Sequence, residues 1–159
     1  MQLTHWKIVG TLCWWFTIDN NMVRILHFSD FHYRKDNASD FRSLAQKLSE
    51  SIKGKNIDFI VFSGDLVFKD YGYDVYKNVY EFLFKPILKN CGLSEERIMI
   101  VPGNHDMQRD DELDIIKNGI ARISTNDELE EFSKSNDQVK LSMNRFKNYN
   151  KFIHDKFGK

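Results

Sequence analysis

From Val23 onward the apolar positions alternate between two rhythms. Val23-Arg-Ile-Leu-His-Phe28, Ile57-Asp-Phe-Ile-Val-Phe62 and Arg97-Ile-Met-Ile-Val101 are short runs rich in β-branched and aromatic residues. Each ends in a turn signal, Ser29-Asp30, Ser63-Gly64 and Pro102-Gly103, which predicts three buried strands. Between them Phe41, Leu44, Leu48 and Ile52 recur at helical spacing over 39–53, closed by Gly54. Over 75–91, Val75, Val79, Phe82, Leu83, Ile87 and Leu88 share one helical face, closed by Gly92. Pro86 is expected to bend this helix or to end its first half. The order strand, helix, strand, helix, strand predicts a three-stranded, mostly parallel α/β sheet with right-handed crossovers.

The remainder, from Met107 onward, carries no strand pattern. Thr125-x-x-Glu128 and Ser135-x-x-Gln138 are capping-box patterns, so two consecutive helices are expected. Phe132, Val139, Phe146 and Ile153 recur every seven residues, with Leu129, Met143 and Phe157 on the adjoining row. Asn136 and Asn150 interrupt that row, which favours packing on the α/β body over a coiled coil. The organisation that results is a β-α-β-α-β core at 22–106 and a helical segment of the same domain at 107–159.

Residues 1–21 form an extension of doubtful status. Its apolar run, Ile8 to Ile18, is about half the roughly 20 residues a membrane span needs. As a secretory signal it lacks an Ala-x-Ala-like cleavage site and is preceded by a single Lys7. A packed strand and a start-site artefact are the other readings, the latter because Met22 opens a coherent strand. Trp6, Trp14 and Trp15 would suit packing on an exposed sheet face, and His5 has no assigned role.

The length of 159 residues allows one domain or part of one. Hydrophobic residues at 42% and aromatics at 14% exclude disorder for most of the chain. Lys plus Arg and Asp plus Glu are both 23, and this neutrality argues against a dedicated nucleic-acid binder. Local basic stripes stay open. Cys13 and Cys91 have neither a disulfide framework nor paired metal spacing, which fits a reduced, cytoplasmic chain.

Chemistry gathers where the strands end. Asp30-Phe-His32, Gly64-Asp65 and Gly103-Asn-His-Asp106 follow the three strands, whose carboxyl ends share one edge in a parallel sheet. Asp30 and His32 are two apart and would point to the same side of an extended chain. Gly64 and Gly103 would let the backbone turn tightly beside Asp65 and Asn104. Singly, these are a satisfied loop pair and two turn signals. Together, at three successive strand ends, they are the oxygen and imidazole ligands a pair of divalent transition metals requires. His27, inside the first strand, reads as a buried, hydrogen-bonded histidine, and His154 as a helix-surface residue. Tyr33 and Arg34 read as surface loop, and Arg109 as a solvated arginine with phosphate contact as its alternative.

The same residues resemble the calcineurin-like metallophosphoesterases. The pattern of that family is Asp-x-His, Gly-Asp, Gly-Asn-His-Asp or Glu, a lone His, and Gly-His-x-His. The first three blocks are present, and Arg24-Ile-Leu-His-Phe-Ser-Asp and Arg97-Ile-Met-Ile-Val-Pro-Gly-Asn-His-Asp are phrased as in the family. The resemblance runs from Met22 to about Arg109. It implies that Asp30 and His32 hold a first metal, Asp65 bridges two, and Asn104 binds the second through its amide oxygen. It implies further that His105 contacts the phosphate or protonates the leaving oxygen, and that Asp106 accepts the other ring N–H of His105. The cofactors implied are two divalent ions (Mn, Fe, Zn, Ni or Co), and the reaction is attack of a metal-bound hydroxide on a phosphoester.

The lone His and Gly-His-x-His have no counterpart in these 159 residues, where only His154 follows His105. The chain therefore reads as the N-terminal part of such an enzyme, a partial sandwich with one apolar sheet face open. Its expected partner is a phosphoester, a small molecule or nucleotide. Nucleic acid is less favoured, no membrane is expected, and a homodimer covering the open face is a minor reading. The alternatives are a non-catalytic, truncated metal-binding or interaction domain, and a DNA-repair-type nuclease of the same superfamily.

Overall fold

Five strands lie side by side in one mixed sheet, in the order in which they occur along the chain. The computed structural model describes residues 5–8, 11–18, 21–108, 118 and 121–158, with side chains from Val23 onward. Strands β1 (His5–Ile8), β2 (Thr11–Ile18) and β3 (Asn21–Phe28) are antiparallel neighbours. Strands β3, β4 (Phe59–Ser63) and β5 (Ile98–Val101) are parallel, as the alternating pattern predicts. Residues 5–8 and 11–18 thus extend the sheet beyond β3. The side chains of His5, Cys13 and the three tryptophans lie outside the described residues.

The period-2 pattern decides which face is covered. Leu26 and Phe28 pair with Ile60 and Phe62, and Ile60 with Ile98, and all five are buried on one face. Helix α1 (Ala38–Ser51) crosses from β3 to β4, and α2 (Tyr73–Val79) and α3 (Lys85–Cys91) cross from β4 to β5. Edge-on aromatic contacts join strand to strand, Phe28 to Phe62 at 5.2 Å, and sheet to helical layer, Phe62 to Phe84 at 5.7 Å between centroids. Each such buried side chain contributes about 1.5–3 kcal/mol relative to exposure. On the opposite face Met99 and Val101 are 50% and 54% exposed, so the apolar face expected to be open is open at β5.

Pro86 does not end its helix. A π-helical turn, Tyr80–Phe84, joins α2 to α3, and Pro86 stands in the first turn of α3. Proline has no N–H for the carbonyl four residues back, and its ring crowds that carbonyl. The wider turn, closed by Lys85 N–H on the Tyr80 carbonyl, absorbs both defects within a continuous helix.

Among the described residues the C-terminal part forms three helices where the caps predict two: α4 (Asn126–Lys134), α5 (Asn136–Asn144) and α6 (Lys147–Phe157). Thr125 and Glu128 make the full capping box, and Ser135 caps α5 through the Gln138 N–H. The additional break comes at Arg145. Its carbonyl accepts the Gln108 N–H at 2.8 Å, a tertiary bond in place of a helical one. Helix α6 docks on α2, with Phe152 stacked on Tyr76 at 5.5 Å and Phe157 edge-on to Phe84 at 6.0 Å. The end of the heptad row serves packing on the body, where Phe146 and Ile153 lie against the core, whereas Leu129 and Met143 on the adjoining row are each 54% exposed. No helix among the described residues is long and apolar enough to cross a membrane.

Phe152 is fully buried at this contact, so Phe152→Ala is expected to lower the unfolding free energy by about 3–5 kcal/mol in urea titration. A loss below about 1 kcal/mol would show that α6 lies outside the cooperative core.

Candidate metal centre

Past the ends of β3 and β4 the backbone ladder continues into the loops. Asp30 N–H donates to the Gly64 carbonyl at 3.0 Å, His32 to Asp65 at 2.9 Å and Tyr33 to Leu66 at 3.1 Å. Phe68 N–H returns a bond to the Tyr33 carbonyl at 3.0 Å. These bonds hold Asp30, His32 and Asp65 in left-handed conformations, with φ of 55°, 48° and 58°. Among the described residues only Asn56 joins them as a non-glycine residue with positive φ. Side chains resist this conformation at roughly 1–2 kcal/mol per residue, and it persists only where surrounding structure enforces it. The extended geometry expected for Asp30-Phe-His32 is therefore replaced by a zigzag. It still brings His32 Nε2 within 3.6 Å of Asp30 Oδ1.

Glycines let the second and third loops touch. A Cβ on Gly64, itself at φ 104°, would stand 3.2 Å from Gly103 Cα. A Cβ on Gly103 would collide with the Asp65 carboxylate and lie 2.5 Å from the Asp65 nitrogen. Gly103 is thus required for closeness, not for a turn of unusual φ.

The side chains converge in that contact. One ligand atom each from His32, Asp65 and His105 lies within 4.8 Å of the others. His32 Nε2 is 3.9 Å from Asp65 Oδ2, and the His32 and His105 rings meet edge to face at 4.7 Å. His105 N–H donates to Asp65 Oδ1 at 2.9 Å and fixes that carboxylate. Asp30 is open to solvent at 66%, while Asp65 is 14% exposed. Among the described residues no Lys or Arg pairs with Asp30 or Asp65. Two carboxylates facing two imidazoles without a cationic side chain form a site whose charge and donor set suit a divalent cation. His32 Nδ1 is buried without a partner. Asn104 is exposed in the turn between Gly103 and His105.

The expected Asp106–His105 pairing is not made. His105 Nδ1 lies 2.6 Å from the Phe68 carbonyl. A carbonyl only accepts, so Nδ1 carries the proton and Nε2 presents its lone pair. Asp106, fully buried, instead accepts from the N–H groups of Gly103 at 2.9 Å, Leu66 at 3.1 Å and Val67 at 3.2 Å. The turn closed by Asp106 N–H on the Gly103 carbonyl folds this carboxylate back beneath the motif. Burial pushes the Asp106 carboxyl above its usual range, against the downward pull of those three N–H groups. Tyr76 Oη adds a bond to the Asp106 carbonyl.

Other expectations resolve individually. His27 is half-buried and bonded to Ser63 Oγ at 2.7 Å, and His154 is 80% exposed on α6 beside Asp155. Cys91 is half-buried. Tyr33 is not a surface residue: it is 5% exposed and packs edge-on to Phe41. Arg34 is exposed, with its guanidinium 3.7 Å above the Phe68 ring. Arg109 lies outside the described residues. The Phe68 carbonyl went unanticipated, because a backbone acceptor leaves no mark on residue type.

A parallel sheet with this cluster at its carboxyl edge defines a class. Residues 23–156 match the calcineurin-like phosphoesterases, and the chain belongs to that family of hydrolases. It is 35% identical over 92 residues to an uncharacterized metallophosphoesterase-like protein, YydB, of Bacillus subtilis (strain 168). The match covers 55% of this chain and 18% of that protein, so the matched stretch spans under a fifth of its relative's length. No solved structure matches the chain.

Because Gly103 has no room for a methyl group, Gly103→Ala is expected to cost about 1–3 kcal/mol of unfolding free energy by displacing the Asp65 loop. Chemical denaturation checks this, and an unchanged midpoint would show that the two loops separate freely.

Proposed function

We propose that this edge binds two divalent metal ions and hydrolyses a phosphoester, a small molecule or nucleotide. The observation that carries the reading is the convergence of His32, Asp65 and His105 at a site where, among the described residues, no Lys or Arg pairs with the carboxylates. Asp30 and His32 would hold one ion. Asp65, with two oxygens on one carboxylate, would be shared between the two, and Asn104 would offer its amide oxygen to the second. When bound, such ions supply Lewis acidity and an activated water; Mn, Fe, Zn, Ni and Co all suit this donor set.

The residues divide the remaining tasks. The Phe68 carbonyl commits the Nδ1 proton of His105, so a proton gained at Nε2 is the one available to a leaving oxygen. Asp106 acts as a positioning residue: it ties Gly103 to Leu66 and Val67 and so sets where Asp65 and His105 stand.

Metal binding is the first readout, because of the five motif histidines of the family only His32 and His105 have counterparts in these 159 residues. Calorimetric titration of the chain with Mn²⁺ is expected to show binding that Asp65→Asn weakens at least ~10-fold. Turnover of bis-p-nitrophenyl phosphate is expected to vanish with chelator and to fall by about 10²–10⁴ in His105→Ala. Mn²⁺ affinity unchanged in Asp65→Asn would overturn the reading.

A further inference from the structure

Phe68 meets the metal edge in two ways. Its carbonyl accepts the Nδ1 proton of His105, and its half-buried ring stands beside both histidines. The ring lies 5.4 Å from the His105 ring, tilted by 33°, and 6.3 Å from the His32 ring, edge to face. Arg34 covers the Phe68 ring, with its guanidinium carbon 3.7 Å from the centroid, and is itself exposed. Main-chain bonds set this pairing. Tyr33 and Val67 form a parallel bridge, and the Phe68 N–H donates to the Tyr33 carbonyl, so residues 34 and 68 follow next in register.

An aromatic face attracts a cation, and that attraction holds an otherwise flexible arginine in one place. At 3.7 Å the guanidinium stacks on the ring, so its N–H groups, which lie in its own plane, point sideways past the ring. Their fork suits two oxygens of a phosphate. The stack also decides what the ring can offer. With that face covered, Phe68 gives a ligand there a positioned cation in place of an aromatic platform for a base.

The His105 imidazole and the Arg34 guanidinium contact the same ring. A scissile phosphate that meets His105 would leave the neighbouring phosphate of its substrate, about one ring's breadth away, to Arg34. We propose that Arg34, held on Phe68, is a specificity residue that selects phosphoesters carrying a second phosphate one sugar away from the scissile one. The proposal rests on the phosphoesterase reading of this edge and narrows its substrates to bisphosphorylated sugars and nucleotides.

The test uses the full chain with Mn²⁺, whose uptake is measured first, and then compares calorimetric titrations with thymidine 5′-monophosphate and thymidine 3′,5′-bisphosphate. At pH 8 each terminal phosphate is a dianion. The bisphosphate is expected to bind about tenfold tighter than the monophosphate. In Arg34→Gln that preference is expected to fall to about twofold or less. The residue is exposed, so the variant keeps the fold. Lys35→Gln removes an equal charge one residue further on, where the ammonium lies 5.4 Å over the Tyr71 ring, and is expected to retain the preference. A preference that persists in Arg34→Gln, or that Lys35→Gln removes equally, reflects general attraction between charges and overturns the proposal. Equal binding of the two nucleotides by the unaltered, Mn²⁺-loaded chain overturns the proposal alone. Absence of Mn²⁺ uptake overturns it together with the phosphoesterase reading.

Discussion

The buried carboxylate of Asp106, held by the N–H groups of Gly103, Leu66 and Val67, joins the loop after β5 to the loop after β4. Those three N–H groups point inward, away from solvent, and would each cost about 1–3 kcal/mol if left without an acceptor. With the two loops fixed, Gly103 stands against Asp65, the His105 N–H reaches the Asp65 carboxylate, and the imidazole reaches the Phe68 carbonyl. The loop after β3 is then added by main-chain bonds from Asp30, His32 and Tyr33. Ligand placement at this edge is thus set mostly by backbone, and the reactive side chains inherit their positions.

Beneath the edge lies a layer of aromatic rings that a short chain can use to secure its loops. Phe31 and Tyr33 flank His32 in sequence and are buried against Phe41 and Phe82, on α1 and the π-helical turn. The alternation of the loop therefore sends His32 toward the site and its two neighbours into the core. Arg34 continues the pattern outward, over Phe68. A substitution in this aromatic layer, though distant from any ligand atom, would be felt at His32 through one peptide link.

Much of this was legible in the sequence, because the signals that carry the fold are local. Period-2 runs marked β3, β4 and β5, period-3.6 rows marked the crossover helices, and Thr125 with Glu128 announced the start of α4. The strand-end residues came together because a parallel sheet puts successive carboxyl ends on one edge. What escaped was decided by tertiary hydrogen bonds. The helix break at Arg145 depends on the distant Gln108 N–H, and the partner of His105 is a backbone carbonyl that any residue at position 68 would supply. The family resemblance pairs Asp106 with the imidazole, whereas the tight turn directs its carboxylate to the N–H groups of Gly103, Leu66 and Val67. Tyr33 read as loop because its burial depends on rings 8 and 49 residues away, at Phe41 and Phe82.

The left-handed backbone at Asp30, His32 and Asp65 has a consequence for how this chain can change. Glycine would occupy all three positions without steric penalty, so stability alone favours losing the very side chains that gather at the edge. A lineage relieved of any need for the site would drift toward glycine or asparagine there and gain robustness in doing so. Retaining two aspartates and a histidine in that conformation leaves the molecule poised below its own stability optimum. Whatever binds the folded form at this edge would offset that cost by mass action.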